Sequence, residues 1–176
     1  MKKNILIVGC GDVGREAGRR LQQLGCAVYG VKRSVSDEIP FPCVYGDVSD
    51  LKSLSACFEQ LPEDIHYLLY TVAPAERTES AYHAAYPEGV KNCLACIDTQ
   101  ILQGFLLVTS TAVYHQQQGQ WVDELTETSP TSFSGQKLLT AENVLHDSLV
   151  KGVAVRLGGI YGPGRERLIN KVKNGC

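Results

Sequence analysis

Near its N-terminus the chain reads Ile5-Leu6-Ile7-Val8-Gly9-Cys10-Gly11-Asp12-Val13-Gly14, a short apolar run that ends in a G-x-G-x-x-G pattern. The pattern alone is weak. Its position, after a β-forming run and at the head of a helical segment, is what constrains the fold, because each glycine then has a separate task. Gly9 permits the tight turn, Gly11 lets the backbone approach a pyrophosphate, and Gly14 lets helix and strand pack closely. The helix N-terminus adds unpaired N–H groups and a partial positive charge. The segment therefore predicts a dinucleotide-phosphate site built from Gly9, Gly11, Asp12, Val13 and Gly14, with Arg15 on the first helical turn.

The rest of the chain alternates strand and helix. Asn4–Val8 reads as a strand, and the helix after it, Val13 to Leu24, carries Val13, Ala17, Leu21 and Leu24 on one face with Gly25 closing it. Ala27–Val31 is a second strand. Pro40 and Pro42 mark a loop before a short strand at Cys43–Tyr45. Ser49 or Asp50 can cap a helix over Leu51–Gln60. Tyr67–Tyr70 and Gly104–Thr109 are apolar on both faces, as central parallel strands are. Helices are predicted over much of Tyr82–Thr99 and from Thr131 to about Leu149, and Val153–Arg156 is the last strand. The expected architecture is α/β, a Rossmann-type doubly wound parallel sheet with strand order 3-2-1-4-5-6 and ligand at the carboxyl ends of the strands. Residues 1–157 form the dinucleotide-binding domain in this reading.

The second strand runs into Lys32 and Arg33. An NAD site usually places Asp or Glu here to bond the ribose 2′-hydroxyl, and a carboxylate would repel a 2′-phosphate. Arg33 can instead bind that phosphate bidentately, with Lys32 beside it and Arg15 as a further cation, so the expected cofactor is NADP rather than NAD. Asp47, in Gly46-Asp47-Val48, either accepts a hydrogen bond from the adenine amino group or caps the next helix.

Composition removes other classes. The 176 residues are 44% apolar and 20% charged, with net charge −2. That balance gives no electrostatic footprint for nucleic acid or an anionic membrane. No apolar run is long enough to span a bilayer, and Gly9 interrupts the N-terminal run too early for a signal peptide, so a cytoplasmic protein is expected. The cysteines are seven and scattered. Free, mostly buried thiols are the default reading, with metal or redox use of Cys93-x-x-Cys96 and activation of Cys10 by the helix N-terminus as the less favoured ones.

Four stretches in order, Ile5 to Gly14, Gly46-Asp47-Val48, Val108-Thr109-Ser110-Thr111-Ala112-Val113-Tyr114 and Arg156 to Arg165, resemble the extended short-chain dehydrogenase/reductases, the NAD(P)-dependent nucleotide-sugar epimerases and dehydratases, over nearly the whole chain. The chain looks closest to an atypical, epimerase-like branch with a degenerate active site. The resemblance implies that Ser110 bonds the reacting hydroxyl or carbonyl of the substrate. It implies that Val72, Ala73, Pro74 and Thr109 lie along the nicotinamide side of the cofactor, and that Lys137 holds the ribose hydroxyls. The family's acid/base is a Tyr four residues before that Lys, and here the position is Phe133. A phenyl ring has no proton to give. Tyr86 stands where the family has an active-site Asn, and Gly159 where sugar-nucleotide enzymes often carry another. Of the other hydroxyls, Tyr114 has a structural counterpart, Ser134 is rotated off the Phe133–Lys137 face, and Tyr86 is either a substitute or a packed aromatic. Family members continue for a further substrate lobe, so residues 158–176 are expected to be the start of a truncated one. The resemblance also allows a homodimer.

Two functions follow. One is an NADP-dependent epimerase- or dehydratase-like oxidoreductase acting on a nucleotide sugar or a related carbonyl or hydroxyl compound. The other is a non-catalytic dinucleotide-binding module, a redox sensor or scaffold.

Overall fold

A computed structural model describes residues 2–35, 39–116, 118–162 and 165–175. Among these residues, six parallel strands form one sheet in the order β3-β2-β1-β4-β5-β6. They are β1 (Asn4–Val8), β2 (Ala27–Lys32), β3 (Cys43–Tyr45), β4 (Tyr67–Tyr70), β5 (Gly104–Ser110) and β6 (Gly152–Leu157). The helices are α1 (Asp12–Gln23), α2 (Leu51–Phe58), α3 (Glu79–His83), α4 (Gly89–Cys96), α5 (Phe133–His146) and α6 (Arg167–Lys173). The expected doubly wound sheet and its strand order are what the structure shows. The sequence pattern did not predict α6.

The central strands are apolar on both faces because both are covered. Leu6, Val8, Leu68, Tyr70, Phe105 and Leu107 form the larger core with Leu54, Val90, Cys93, Ala141 and Leu145 from α2, α4 and α5. On the other face Ile7, Cys10, Val28 and Phe41 pack together beside α1. Leu106 and Val153, register partners on β5 and β6, stay 39% and 58% exposed.

The expected apolar face of α1 needs correction. The residues that bury are Gly14 and Gly18, while Leu24 is 79% exposed. The reason is distance: a Cβ on Gly14 would stand 2.3 Å from the Gly9 carbonyl oxygen, and one on Gly18 would overlap the Phe41 ring. The helix seats on the sheet chiefly through these two glycines, with Leu21 packed at the edge of the Ile7–Phe41 cluster, so the predicted face holds at Leu21 and fails at Leu24. Gly25 closes the helix with φ of 85°.

Asp50, not Ser49 or Asp47, caps α2, its carboxylate accepting from the N–H groups of Lys52 and Ser53. The helix expected from Tyr82 starts earlier, at Glu79 capped by Thr78, and ends at Cys96. Between α3 and α4 the turn Ala84–Glu88 widens to a π-helix around Pro87. Proline lacks the N–H and its ring collides with the carbonyl four residues back, and the wider turn relieves both without ending the helix. Ser132 caps α5, so that helix begins two residues later than predicted. Among the described residues no helix is long and apolar enough to cross a membrane.

Candidate functional site

A cleft of about 350 Å³ opens at the carboxyl ends of β1, β2 and β4. One wall is Gly9, Cys10 and Gly11. The rim is Lys32, Arg33 and Ser34. Asp47, Val48, Val72 and Ala73 close the far side, and Ala81, Ala84 and Ala85 of the α3 region complete it. It lies at the point where strand connections diverge to either side of β1, which is where doubly wound sheets take ligands.

Gly9 has φ of 98°, and a Cβ there would stand 2.5 Å from the Val72 backbone nitrogen. No other residue fits. Thr71 braces the same turn, its hydroxyl donating to the Gly9 carbonyl, and it also backs Gly14. Thr71 was not singled out from sequence; the signal available was a lone polar residue directly after a fully apolar strand. Gly11 is the opposite case. Nothing lies within 4 Å of its would-be Cβ. The space over it is open, as a loop that must let a phosphate approach its backbone requires. Asp12, Val13 and Arg15 stand on the first turn of α1 and Gly14 is buried beneath it; none of the four lines the cleft.

Lys32 is half-buried and Arg33 exposed at the end of β2. Asp47 lines the cleft and shapes its own turn, Oδ1 accepting from the Ser49 N–H at 2.9 Å and the Ser49 hydroxyl at 2.7 Å. Burial works to raise its pKa, but those two bonds and the nearby Arg33 hold it below the usual carboxylate value. Cys10 is not activated by the helix N-terminus. The adjacent Cys43 thiol and burial push it up instead. Burial likewise raises Cys93 and Cys96, which pack in and beside the core. The six described cysteines are free, and no metal-holding cluster occurs among the described residues.

The residues expected to do chemistry stand outside this cleft, each bonded within the protein. Ser110 caps the short 3₁₀ turn Thr111–Val113, its oxygen accepting from the Ala112 N–H at 3.2 Å. Lys137 pairs with Glu79 of α3 at 2.9 Å. Phe133 meets the Tyr82 ring edge-on with centroids 5.5 Å apart, and Tyr82 stacks on Tyr86 at 5.7 Å. Tyr86 is thus a packed aromatic, with its phenol pushed up to about 12 by burial and by Tyr82. Ser134 is buried and shares a hydrogen bond with Ser132. Pro74 is half-buried between the cleft-lining Ala73 and Ala75.

Thr109 departs from expectation. Its hydroxyl points away from the cleft and donates to Glu142 Oε1 at 2.7 Å. Glu142 also takes Arg156 Nη2 at 2.7 Å, and Arg156 Nη1 donates to the Tyr114 phenol at 2.7 Å, which in turn donates to the Asp123 carbonyl. Alternation along β5 explains this: Thr109 follows Leu107 and Phe105 onto the face that α5 covers. In the motif ending at Arg165, Gly159 is exposed, while Pro163 and Gly164 lie outside the described residues. Arg165 itself reaches back to Asp12, with Nε and Nη2 at 3.1 and 3.0 Å from Oδ2.

The family described as the RmlD substrate binding domain matches residues 2–174. No curated protein matches the chain. Among solved structures, a Methylobacillus flagellatus protein provisionally assigned as an NAD-dependent epimerase/dehydratase is 35% identical, with a TM-score of 0.83. The match covers 99% of this chain and 61% of that one, so the chain spans less than two thirds of this relative's length. The UDP-Glc/GlcNAc 4-epimerase of Campylobacter jejuni is 22% identical with a TM-score of 0.75, over 88% of this chain and 53% of its own. The Bordetella bronchiseptica enzyme WbmG, solved with NAD and UDP, is 18% identical with a TM-score of 0.78, over 99% and 61%. These two likenesses show the shared fold.

Proposed function

We propose that this chain, which belongs to the RmlD substrate binding domain family, binds NADP(H) in the cleft and serves an epimerase- or dehydratase-like oxidoreductase acting on a nucleotide sugar or related carbonyl or hydroxyl compound. The observation that carries the reading is the open space over Gly11 beside a cleft whose rim is Lys32 and Arg33. Backbone N–H groups at the start of α1 hold the pyrophosphate. Arg33 and Lys32 take the 2′-phosphate, and Asp47 and Val48 border the adenine. Val72, Ala73 and Pro74 carry the site toward the nicotinamide. The relatives named for NAD, UDP and sugar-nucleotide epimerisation support the ligand classes. Residues 1–157 are the dinucleotide-binding unit in this reading, and 158–176 belong to the substrate side.

When bound, the nicotinamide supplies a hydride acceptor or donor. Ser110 then orients substrate: its oxygen already accepts from Ala112, which leaves its O–H to donate to a substrate oxygen. Lys137 holds ribose hydroxyls after exchanging its Glu79 partner for them. Calorimetry with NADP and NAD tests the cofactor assignment. NADP is expected to bind about tenfold more tightly, and Arg33→Ala to remove most of that difference. Equal affinities in the wild type would overturn the 2′-phosphate argument. Hydride exchange between bound nicotinamide and a panel of nucleotide sugars tests the activity.

One cluster favours a second reading, a non-catalytic dinucleotide-binding module. Phe133 has no hydroxyl, it is packed against Tyr82, and Lys137 is tied to Glu79. Phe133 therefore cannot move the proton that accompanies the hydride.

A further inference from the structure

β6 and β1 are separated in the sheet by β5 and β4, yet Arg165, beyond the end of β6, contacts the phosphate loop after β1. Both of its bonds go to one carboxylate oxygen, Asp12 Oδ2. The backbone N–H of Arg165 bonds the Gly162 carbonyl at 2.9 Å. Asp12 is the first residue of α1, directly after Gly11 and its open space.

That placement creates an electrostatic conflict. An aspartate in the first turn of a helix suits the helix dipole. The same carboxylate stands beside the proposed seat of a pyrophosphate and would repel it. A cation brought to Oδ2 cancels that repulsion. A guanidinium also has more N–H donors than the two that Asp12 accepts, and its planar fork suits phosphate oxygens.

We propose that Arg165 is a pyrophosphate-binding residue of the dinucleotide site: it neutralises Asp12 beside the phosphate loop and turns its remaining N–H donors to the cofactor's phosphates. The proposal rests on the cleft binding a dinucleotide. The alternative is an ordinary exposed ion pair, which would leave ligand affinity untouched.

Calorimetry with NADP on the full chain separates the two, with thermal melting as a folding control. Arg165→Ala is expected to raise Kd about tenfold, the loss typical of a charge-assisted contact. Asp12→Asn is expected to lower Kd about twofold, and Arg165→Ala made on top of it to cost less than in the wild-type background. Arg165→Lys, which keeps charge but loses the fork, should fall between. The gap between wild type and Arg165→Ala should narrow as ionic strength rises. Unchanged affinity in Arg165→Ala, in a wild type that binds NADP, would overturn this inference alone. Failure of the wild type to bind either dinucleotide would overturn the cleft assignment as well.

Discussion

On the β2–β1 side of the sheet the groups that would meet a ligand face open space, whereas on the β5–β6 side the polar groups are bonded to their own protein. Gly11 has nothing above it, and Lys32 and Arg33 stand at the cleft rim. Ser110 caps a turn, Thr109 serves Glu142, Lys137 holds Glu79, and Phe133 packs against Tyr82. The difference teaches that holding a dinucleotide and using it are separable properties of one fold. The first is written into backbone shape. The second depends on a few side chains that can be lost while the sheet stays intact.

The largest expected effect breaks the contrast. Phe133→Tyr restores a hydroxyl one helical turn from Lys137, and general acid–base help is worth about 10²–10⁴-fold in rate. Single-turnover hydride transfer should rise by that order in the variant. A wild type that already matches it would mean the proton travels by another route, and the separation of the two halves would not hold. Next, Gly9→Ala should weaken NADP binding by about a hundredfold or more, because it forces a Cβ into the Val72 backbone at a positive φ. Affinity within a few fold of wild type would mean the loop is not the phosphate seat.

Glu142→Gln probes the other half. It leaves Arg156 without its carboxylate partner, next to Tyr114, and should cost about 3 kcal/mol. The melting temperature then falls by roughly 6–12 °C with NADP affinity unchanged. A loss of affinity as large as the loss of stability would show that the halves are coupled. The smallest effect concerns Asp47, whose folded pKa is depressed. Its contribution to stability is therefore full above the unfolded carboxylate value, about 3.9, and fades as pH falls through the lower folded value. Acid titration of Asp47→Asn should show a shallower fall below about pH 4 than the wild type. Identical curves would mean its bonds to Ser49 carry no net stabilisation.

Much of the fold was readable because a central parallel strand must be apolar on both faces, and Ile5–Val8, Tyr67–Tyr70 and Gly104–Thr109 each are. The tight turn at Gly9 was readable because glycine chemistry is local. The α1 face was readable only in part, since Gly14 meets the Gly9 carbonyl and Thr71, and Gly18 meets Phe41 in a distant loop. The Thr109–Glu142–Arg156–Tyr114 network joins residues 14 to 42 positions apart, and no spacing rule announces it. Arg165 could be quoted as part of a motif, but its meeting with Asp12, 153 residues away, belongs to tertiary structure alone.

The position of β1 has a consequence for how the chain is made. It leaves the ribosome before the other five strands of the sheet and is one of the two innermost in the finished sheet. β2 can pair with it early, but its other edge has no partner until Tyr67–Tyr70 has been synthesised. During that interval an apolar strand edge stands open, a known template for association between nascent chains, and parallel pairing over such a span closes slowly. Thr71 and Val72, which brace and crowd Gly9, arrive with the same late strand. The loop after β1 is therefore finished by residues translated much later, and a chain released before β4 would leave the buried edge of β1 open.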